Sequence, residues 1–467
     1  MLALPHSVHW PLSALEHGAF VFFGLLTYVT STRISKPHRH PSAAIAWVMS
    51  IALLPYVGIP LFLLFGVRKV PRAMSAPGHR LPANIDDAPA PWARNLMDAL
   101  GMPEANHNNS AVFQSDGRLA LDTVLGLIGS AQSRVELCTF ALGNDAVGQA
   151  IVQALIQAAH RGVQVYALLD AVGSWKLPTK VLKGLRREGV AVRTFVPIWR
   201  NLRRGRVNLR NHRKLLIIDG ERVWSGGRNL AGEYFVRADK HEAWTDISFI
   251  VQGPLAMQAR HLFEQDWRAA SGERLYAANH MPDVPSPDKG IAAQWIPSGP
   301  DHAEDTAYAL LMAAAYRAEN RIVLVSPYFV PDDALLNAWC MACRRGVSVT
   351  LVVPAKSNHR MADLARARSL RDLIQAGGHV LLYPNMLHAK AVIIDDSLAL
   401  CGSVNLDSRS LFLNYELSTA FYGQDETDAL SQWACTLITH GQLATAKPPS
   451  SARDLLEGLV RVIGFQL

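Results

Sequence analysis

A chain of 467 residues with 49% hydrophobic content has room for more than one core and is too apolar for large-scale disorder. Its net charge of +7 invites a nucleic-acid reading, but residues 1–80 hold seven Lys or Arg against one acid, leaving a net charge of only +1 on the rest. The excess positive charge flanks an apolar N-terminus, where it sets topology and attracts anionic lipid, which weakens the nucleic-acid reading without excluding it.

Taken in chain order, the first feature is an apolar segment from Leu12 to Thr30 with Glu16 and His17 near its start. It reads as a membrane span, against an interfacial helix or a signal-like segment; the absence of Lys and Arg before it argues against a signal. From Ala43 to Val67 the chain runs 25 residues without a charge. At about 1.5 Å per residue that crosses a ~30 Å hydrocarbon core, with Pro55 and Pro60 expected to kink or break the helix. Residues 1–70 are thus expected to form a transmembrane hairpin with both ends on one side of the membrane. Arg33, Lys36 and Arg39 in the loop balance Arg68, Lys69 and Arg72 beyond it, so the side stays open. The Pro-rich stretch 71–109 reads as a tether close to the bilayer.

The remainder says the same thing twice. Arg134–Leu142 and Arg321–Val330 both read as buried strands, followed by Asn144-Asp145 and Pro331-Asp332 and then by helical patterns ending in Arg161-Gly162-Val163 and Arg345-Gly346-Val347. Alternation of this length implies βαβ units, so an α/β fold is expected: two pseudo-symmetric lobes, 110–276 and 291–440, with mostly parallel sheets. Residues 277–290, with Pro282, Pro285 and Pro287, form the expected linker. In the tail 441–467, Leu455, Leu456, Leu459, Val462 and Ile463 fall at helical spacing, suited to docking on the body or to a membrane contact. The five cysteines do not suggest a disulfide framework and fit a reducing compartment; Cys340 and Cys343 share a helix face, as core residues or as a redox or metal pair.

The repeat carries chemistry. His212-Arg213-Lys214, Asp219 and Gly226-Gly227-Arg228-Asn229 recur at identical spacing as His388-Ala389-Lys390, Asp395 and Gly402-Ser403-Val404-Asn405. Residues two apart on a strand share a face, so His and Lys project together, and a glycine turn brings the chain back so that Asn faces the same place. Two imidazoles, two ammonium groups and two amides make a cage for the non-bridging oxygens of a phosphodiester. Each copy has a downstream acid, Asp246 and Glu416, to steady an imidazole; chain order pairs Asp246 with His212 and Glu416 with His388. Asp219 and Asp395 complete each motif at a strand end, where ordering the turn is a better role than direct chemistry. Seven basic residues lie between Arg200 and Lys214 with no acid, a mouth for anionic head groups or a solvated loop; Arg228 touches a second phosphate or points to solvent.

The doubled motif resembles the phospholipase D superfamily and, within it, the bacterial cardiolipin synthases. The likeness extends to Pro60-Leu61-Phe62-Leu63-Leu64-Phe65-Gly66, Ser298-Gly299-Pro300-Asp301, Ser326-Pro327-Tyr328-Phe329-Val330-Pro331 and Asn405-Leu406-Asp407-Ser408-Arg409-Ser410, leading to Asn414-Tyr415-Glu416. It implies a metal-free, cofactor-free transfer between two phosphatidylglycerol molecules at the bacterial inner membrane by a multi-pass protein. One His, with His212 favoured, would hold the phosphatidyl group while His388 moves protons; Lys214, Lys390, Asn229 and Asn405 would bind phosphate. Anionic lipids are the expected partners and nucleic acid is not; oligomeric state is left open. The rival readings are a hydrolysing phospholipase D or nuclease and a catalytically dead lipid-binding protein.

Overall fold

The computed structural model describes residues 14–35, 41–66, 68–69, 90–196, 207–237, 242–276 and 290–463. Residues 71–89 of the expected tether, the expected linker apart from Gly290, and Arg200, Arg203, Arg204 and Arg206 lie outside them.

The apolar N-terminus forms three helices, α1 (Ala14–Ser35), α2 (Pro41–Leu53) and α3 (Pro55–Phe65). Among the described residues no helix is long and apolar enough to cross a membrane. The reason is local. α1 spends its length on Glu16, His17, three threonines and Arg33, while Pro55 cuts the uncharged stretch into helices of 13 and 11 residues. At Leu54 the chain doubles back: a Cβ on Gly58 would lie 2.6 Å from the Ser50 carbonyl oxygen, and the Trp47 and Phe62 rings meet at 5.4 Å. Gly24 lets α1 close on this pair, since a Cβ there would strike Ile59 and Ile51. Around a small core of Tyr28, Ile51 and Phe62, the outward faces expose Phe20, Phe22, Phe23, Val48, Met49, Leu53, Leu54 and Val57.

Of the predicted tether, residues 90–109 belong to the body instead. In α4 (Pro91–Ala99), Ala93 and Met97 join a large apolar core, and the next segment opens β1 (Asn106–Gln114). Lobe 1 continues through α5 (Gly117–Ser130), β2 (Arg134–Thr139), α6 (Ala146–His160), β3 (Gln164–Asp170), α7 (Thr179–Arg187) and β4 (Ala191–Phe195). Three further strands, β5 (Leu215–Ile218), β6 (Arg222–Gly226) and β7 (Ser248–Gln252), lead to α8 (Pro254–Ser271). Lobe 2 repeats this with β8 (Ile291–Ser298), α9 (Thr306–Arg317), β9 (Arg321–Val325), a short β10 (Phe329–Val330), α10 (Asp333–Arg344), β11 (Ser348–Pro354), α11 (Arg360–Gln375) and β12 (His379–Tyr383). Next come β13 (Ala391–Ile394), β14 (Leu398–Gly402), β15 (Leu406–Asp407), α12 (Ser408–Phe412), β16 (Glu416–Phe421), α13 (Gln424–His440), β17 (Gln442–Leu443) and α14 (Ser451–Ile463). The repeat reaches the caps: Asp145 accepts from Gly148 N at the start of α6 and Asp332 from Leu335 N at the start of α10.

Among the described residues fifteen strands form one sheet in the order β17-β12-β11-β9-β13-β14-β16-β8-β1-β7-β6-β5-β2-β3-β4, which apart from the edge strand β17 is symmetric about the antiparallel β8–β1 pair. The sheet is mixed, which corrects the expectation of mostly parallel sheets. Only β2-β3-β4 and β9-β11-β12 run parallel, because the motif strands β5 and β13 return by tight turns as antiparallel meanders. The tail docks rather than hangs: Val460 packs with Val330 and Ala365, and Glu457 meets Arg371 at 2.7 Å. The cysteines are free, with Cys340 in the core.

Candidate active site

The site lies where the C-terminal ends of β2 and β9 meet the starts of β5 and β13. The apolar runs Leu215–Ile218 and Ala391–Ile394 sink into the sheet with every residue buried and leave the preceding His and Lys at its edge. Beyond the sheet edge the lobes exchange short parallel bridges, Asn211 with Tyr415 and Leu387 with Thr245. His212 N donates to Tyr415 O at 2.8 Å and His388 N to Thr245 O at 2.7 Å.

Those bridges correct the pairing read from chain order. His212 Nδ1 lies 2.9 Å from Glu416 Oε2, and His388 Nδ1 lies 2.8 Å from Asp246 Oδ2, so each lobe's imidazole is held by the other lobe's acid. All four side chains are buried. The carboxylates are themselves fixed. Glu416 accepts from Ser403 Oγ and from Asn414 Nδ2 at 3.1 Å. Asp246 sits so close to Gly227 that a Cβ there would fall 2.1 Å from its Oδ1, which is why lobe 1 has glycine where lobe 2 has Ser403.

Lys214 Nζ folds back onto His212 O at 2.7 Å, and Lys390 Nζ lies 2.8 and 3.0 Å from the two ring nitrogens of His388. Burial lowers His212 to about 4 against the pull of Glu416, and burial with Lys390 lowers His388 to about 3. Burial first of all brings Lys214 down to about 8 and Lys390 down to about 7. The acids are lowered as well, but against burial: His388 holds Asp246, and His212 holds Glu416, below their ordinary ranges. Lys390 also depresses His212, and Lys214 depresses His388, so the two motifs share one electrostatic site.

Asn229 and Asn405 are equivalent here too. Nδ2 of Asn229 donates to Tyr234 Oη at 2.8 Å and Nδ2 of Asn405 to Ser410 Oγ at 3.2 Å, while both Oδ1 atoms are buried without a partner. A hydroxyl can also donate, so either amide can rotate and offer its NH2 to an anion.

Asp219 and Asp395 are not brought into this cluster. They follow β5 and β13 at the opposite ends of those strands, at φ 55° and 49°. There Asp219 accepts from Gln132 N, Ser133 N and Arg134 N, and Asp395 from Glu319 N, Asn320 N and Arg321 N. Arg228 fits neither alternative read from the sequence. It is buried and donates to the carbonyls of Gln114, Tyr234 and Asp246 and to Ser248 Oγ. Within the basic run, Arg210 and Arg213 are also buried, the first beside Asp170 and the second against Asp266 at 2.7 Å and Asp301.

Sequence reasoning missed Ser403, Asn414 and the aromatic walls, Phe140 at 5.0 Å from the His212 ring and Tyr234 at 4.9 Å from that of His388. The Gly-to-Ser exchange between the two turns was the available signal for Ser403.

Two lobes on one pseudo-symmetric sheet, with a His-Lys pair from each in one electrostatic site and each His held by the other lobe's acid, define a phospholipase D-like protein. The chain belongs to the family described as "Cardiolipin synthase, PLD-like domain", whose profile matches residues 124–267 and 311–437; a second profile, "Phospholipase_D-nuclease N-terminal", matches residues 20–66. It is 32% identical over 91% of its length to cardiolipin synthase A of Pseudomonas putida strain W619, covering 92% of that protein. It is 31% identical over 86% of its length to the major cardiolipin synthase ClsA of Bacillus subtilis strain 168, covering 88% of it. Among solved structures, the phosphatidylserine synthase of Haemophilus influenzae Rd KW20 shares the fold at TM-score 0.58 and 14% identity, across 80% of this chain and 100% of that one.

Proposed function

We propose that this chain makes cardiolipin from two molecules of phosphatidylglycerol, with His212 as nucleophile and His388 as acid and base. The observation that carries the reading is the crossed pairing: each imidazole is gripped at Nδ1 by a buried carboxylate of the other lobe, which leaves Nε2 as the reactive atom. Nε2 of His212 attacks phosphorus as the P–O bond to the departing glycerol breaks; the Lys390 ammonium, 3.0 Å from Nε2 of His388, gives that nitrogen a proton and His388 passes it to the glycerol, the second step returning it. The hydroxyl of a second phosphatidylglycerol then gives its proton to His388 and attacks phosphorus, breaking the P–N bond and freeing His212. Lys390 lies against both ring nitrogens of His388 and occupies its lone pair at rest, which favours His212 as the nucleophile. Lys214, Lys390, Asn229 and Asn405 cradle the phosphate oxygens. Asp219 and Asp395 hold the turns.

The apolar N-terminus seats this site at the inner membrane of a bacterium as a multi-pass anchor. The threonine hydroxyls of α1 suit hydrocarbon, because Thr27 and Thr30 donate back to the carbonyls of Phe23 and Leu26. In the test, detergent-solubilised protein is incubated with phosphatidylglycerol labelled in both the acyl and the head-group glycerol moieties. Cardiolipin plus free glycerol is expected. Phosphatidic acid plus glycerol as the main products would replace the transferase with a hydrolase. The His212→Ala and His388→Ala variants should each lose at least about 10^4-fold in turnover.

A further inference from the structure

The loop after β3 presents the most exposed of the large hydrophobic side chains of the described catalytic body. Trp175 is 73% exposed and Val172 stands beside it at 38%. Such exposure in a floppy loop would mean little, but this loop is tightly built. Asp170 accepts from Val172 N and Gly173 N at 2.8 and 3.1 Å, and Ser174 Oγ donates to Phe140 O at 3.1 Å. Gly173 passes so close that a Cβ would fall 2.1 Å from Phe140 O. Rigid backbone under an unburied indole is how a protein presents an aromatic to a partner.

The loop's position identifies that partner. Its base is the active-site rim, since Asp170 Oδ2 accepts from Asn211 N at 3.0 Å and the Phe140 ring packs on His212. The foot of the apolar N-terminus reaches the same end of the sheet from lobe 2. Lys69 Nζ pairs with Asp305 at 2.8 Å and donates to Gly299 O at 3.1 Å, just past the end of β8, while Arg68 lies over the Phe412 ring at 4.6 Å. Anchor and loop therefore flank one mouth. Continuing from Trp175, the chain places Lys176, Lys180, Lys183, Arg186 and Arg187 on the surface with no acid from Ala171 to Arg187. The pseudo-symmetric loop of lobe 2, Ala355 to His359, carries no Trp, Tyr or Phe, and its helix α11 is covered by α14.

We infer that the Trp175 loop and α7 form a second membrane contact, on the lobe without the anchor, with the indole in the head-group layer and the cations on anionic lipid phosphates. The inference rests on the reading that the N-terminal helices sit in a bilayer. Two points of attachment on opposite flanks hold the mouth against the lipid surface, so substrate enters without leaving the membrane.

The test uses the full chain reconstituted into phosphatidylglycerol vesicles containing brominated acyl chains, which quench only indoles that reach the bilayer. The difference between wild type and Trp175→Phe reports Trp175, and that between wild type and Trp47→Phe reports the anchor. Both difference signals should be quenched. Quenching of Trp47 alone would overturn the loop contact and leave the anchor standing, whereas quenching of neither would remove the membrane reading and this inference with it. In mixed micelles, Lys176→Gln/Lys180→Gln/Lys183→Gln should raise the interfacial KM roughly tenfold at low salt with kcat unchanged. Turnover of a short-chain, monomeric phosphatidylglycerol should not change. An unmoved interfacial KM would overturn the role given to the cations.

Discussion

Lobe 1 and lobe 2 set the same motif on equivalent strands, yet the residue between His and Lys is Arg213 in one and Ala389 in the other. Ala389 is one more side chain in an apolar cluster. Arg213 is fully buried and reaches across the lobe boundary, donating to Glu416 O at 3.0 Å and facing Asp301 while it pairs with Asp266 of its own lobe. The turns differ in the same sense: Arg228 fastens the segment before β7 that carries Asp246, while its counterpart Val404 packs in the core. What the lobes share is therefore the reacting set of His, Lys, Asn and acid. What they do not share is the buried charge around the motif, since Arg213 and Arg228 of lobe 1 stand where lobe 2 has Ala389 and Val404.

The crossed acids offer the largest effect that could break this comparison. Glu416→Gln, although in lobe 2, should disable His212, and Asp246→Asn should disable His388, each lowering turnover by about 10^3 to 10^4 through loss of the correct tautomer. The two should differ in kind. With a substrate whose leaving alcohol is activated, Asp246→Asn should still form a covalent phosphatidyl-enzyme in rapid-quench experiments and Glu416→Gln should not; the reverse pattern would exchange the roles of the two imidazoles. Next in size is the asymmetric charge. Arg213→Met leaves Asp266 and Asp301 buried without their cation, and a loss of about 3 to 5 kcal/mol is expected in thermal unfolding in detergent, part of it recovered in Arg213→Met/Asp266→Asn. A small loss would mean that Arg213 does not hold the lobes together.

The two-lobe repeat, the motif strands and the joint His-Lys projection were legible because period-2 burial and repeated spacing are local properties of the chain. Which acid serves which imidazole was not. The choice depends on the bridges Asn211–Tyr415 and Leu387–Thr245, contacts between residues about 140 to 200 positions apart that no local pattern encodes. Arg228 and Arg213 were opaque for a related reason: buried arginines look like surface ones until the carbonyls and carboxylates that satisfy them are assembled from elsewhere. In the apolar N-terminus the break at Pro55 was legible, but the contacts that fold α3 back onto α2 and α1 were not, since they join residues that no local pattern pairs.

A smaller effect concerns the two ammonium groups. With both imidazoles neutral, the resting site balances Asp246 and Glu416 against Lys214 and Lys390. Burial brings Lys390 to about 7 and Lys214 to about 8, so raising the pH through this window removes positive charge and leaves the site repelling a phosphodiester anion. Accordingly kcat/KM should fall above about pH 7, approaching tenfold per unit for each proton lost. A bound anion favours the charged lysines, so the same limb in kcat should lie at higher pH. The imbalance between lobes predicts that Lys390→Arg moves the limb more than Lys214→Arg does. Values of kcat/KM that stay flat from pH 6.5 to 9 would sink this account of phosphate binding.

The smallest effect on catalysis belongs to Asp219 and Asp395, where the lobes should behave alike. Asp219 accepts from Gln132 N, Ser133 N, Ser133 Oγ and Arg134 N, and these donors hold its carboxyl below the usual range in spite of partial burial. A carboxylate lowered in this way stabilises the fold fully above its ordinary titration range, and that contribution is lost as pH falls through the folded value. Asp219→Ala and Asp395→Ala should each destabilise by about 1 to 3 kcal/mol, from orphaned N–H groups and from alanine at positive φ. Asparagine, which tolerates that conformation and still offers one oxygen, should be milder at both positions. Turnover per folded molecule should change by less than about threefold, since neither carboxylate lies on the path of the proton or the phosphoryl group. A thousandfold loss in a variant with wild-type Tm would instead make these aspartates part of the chemistry and reopen how the motif divides its labour.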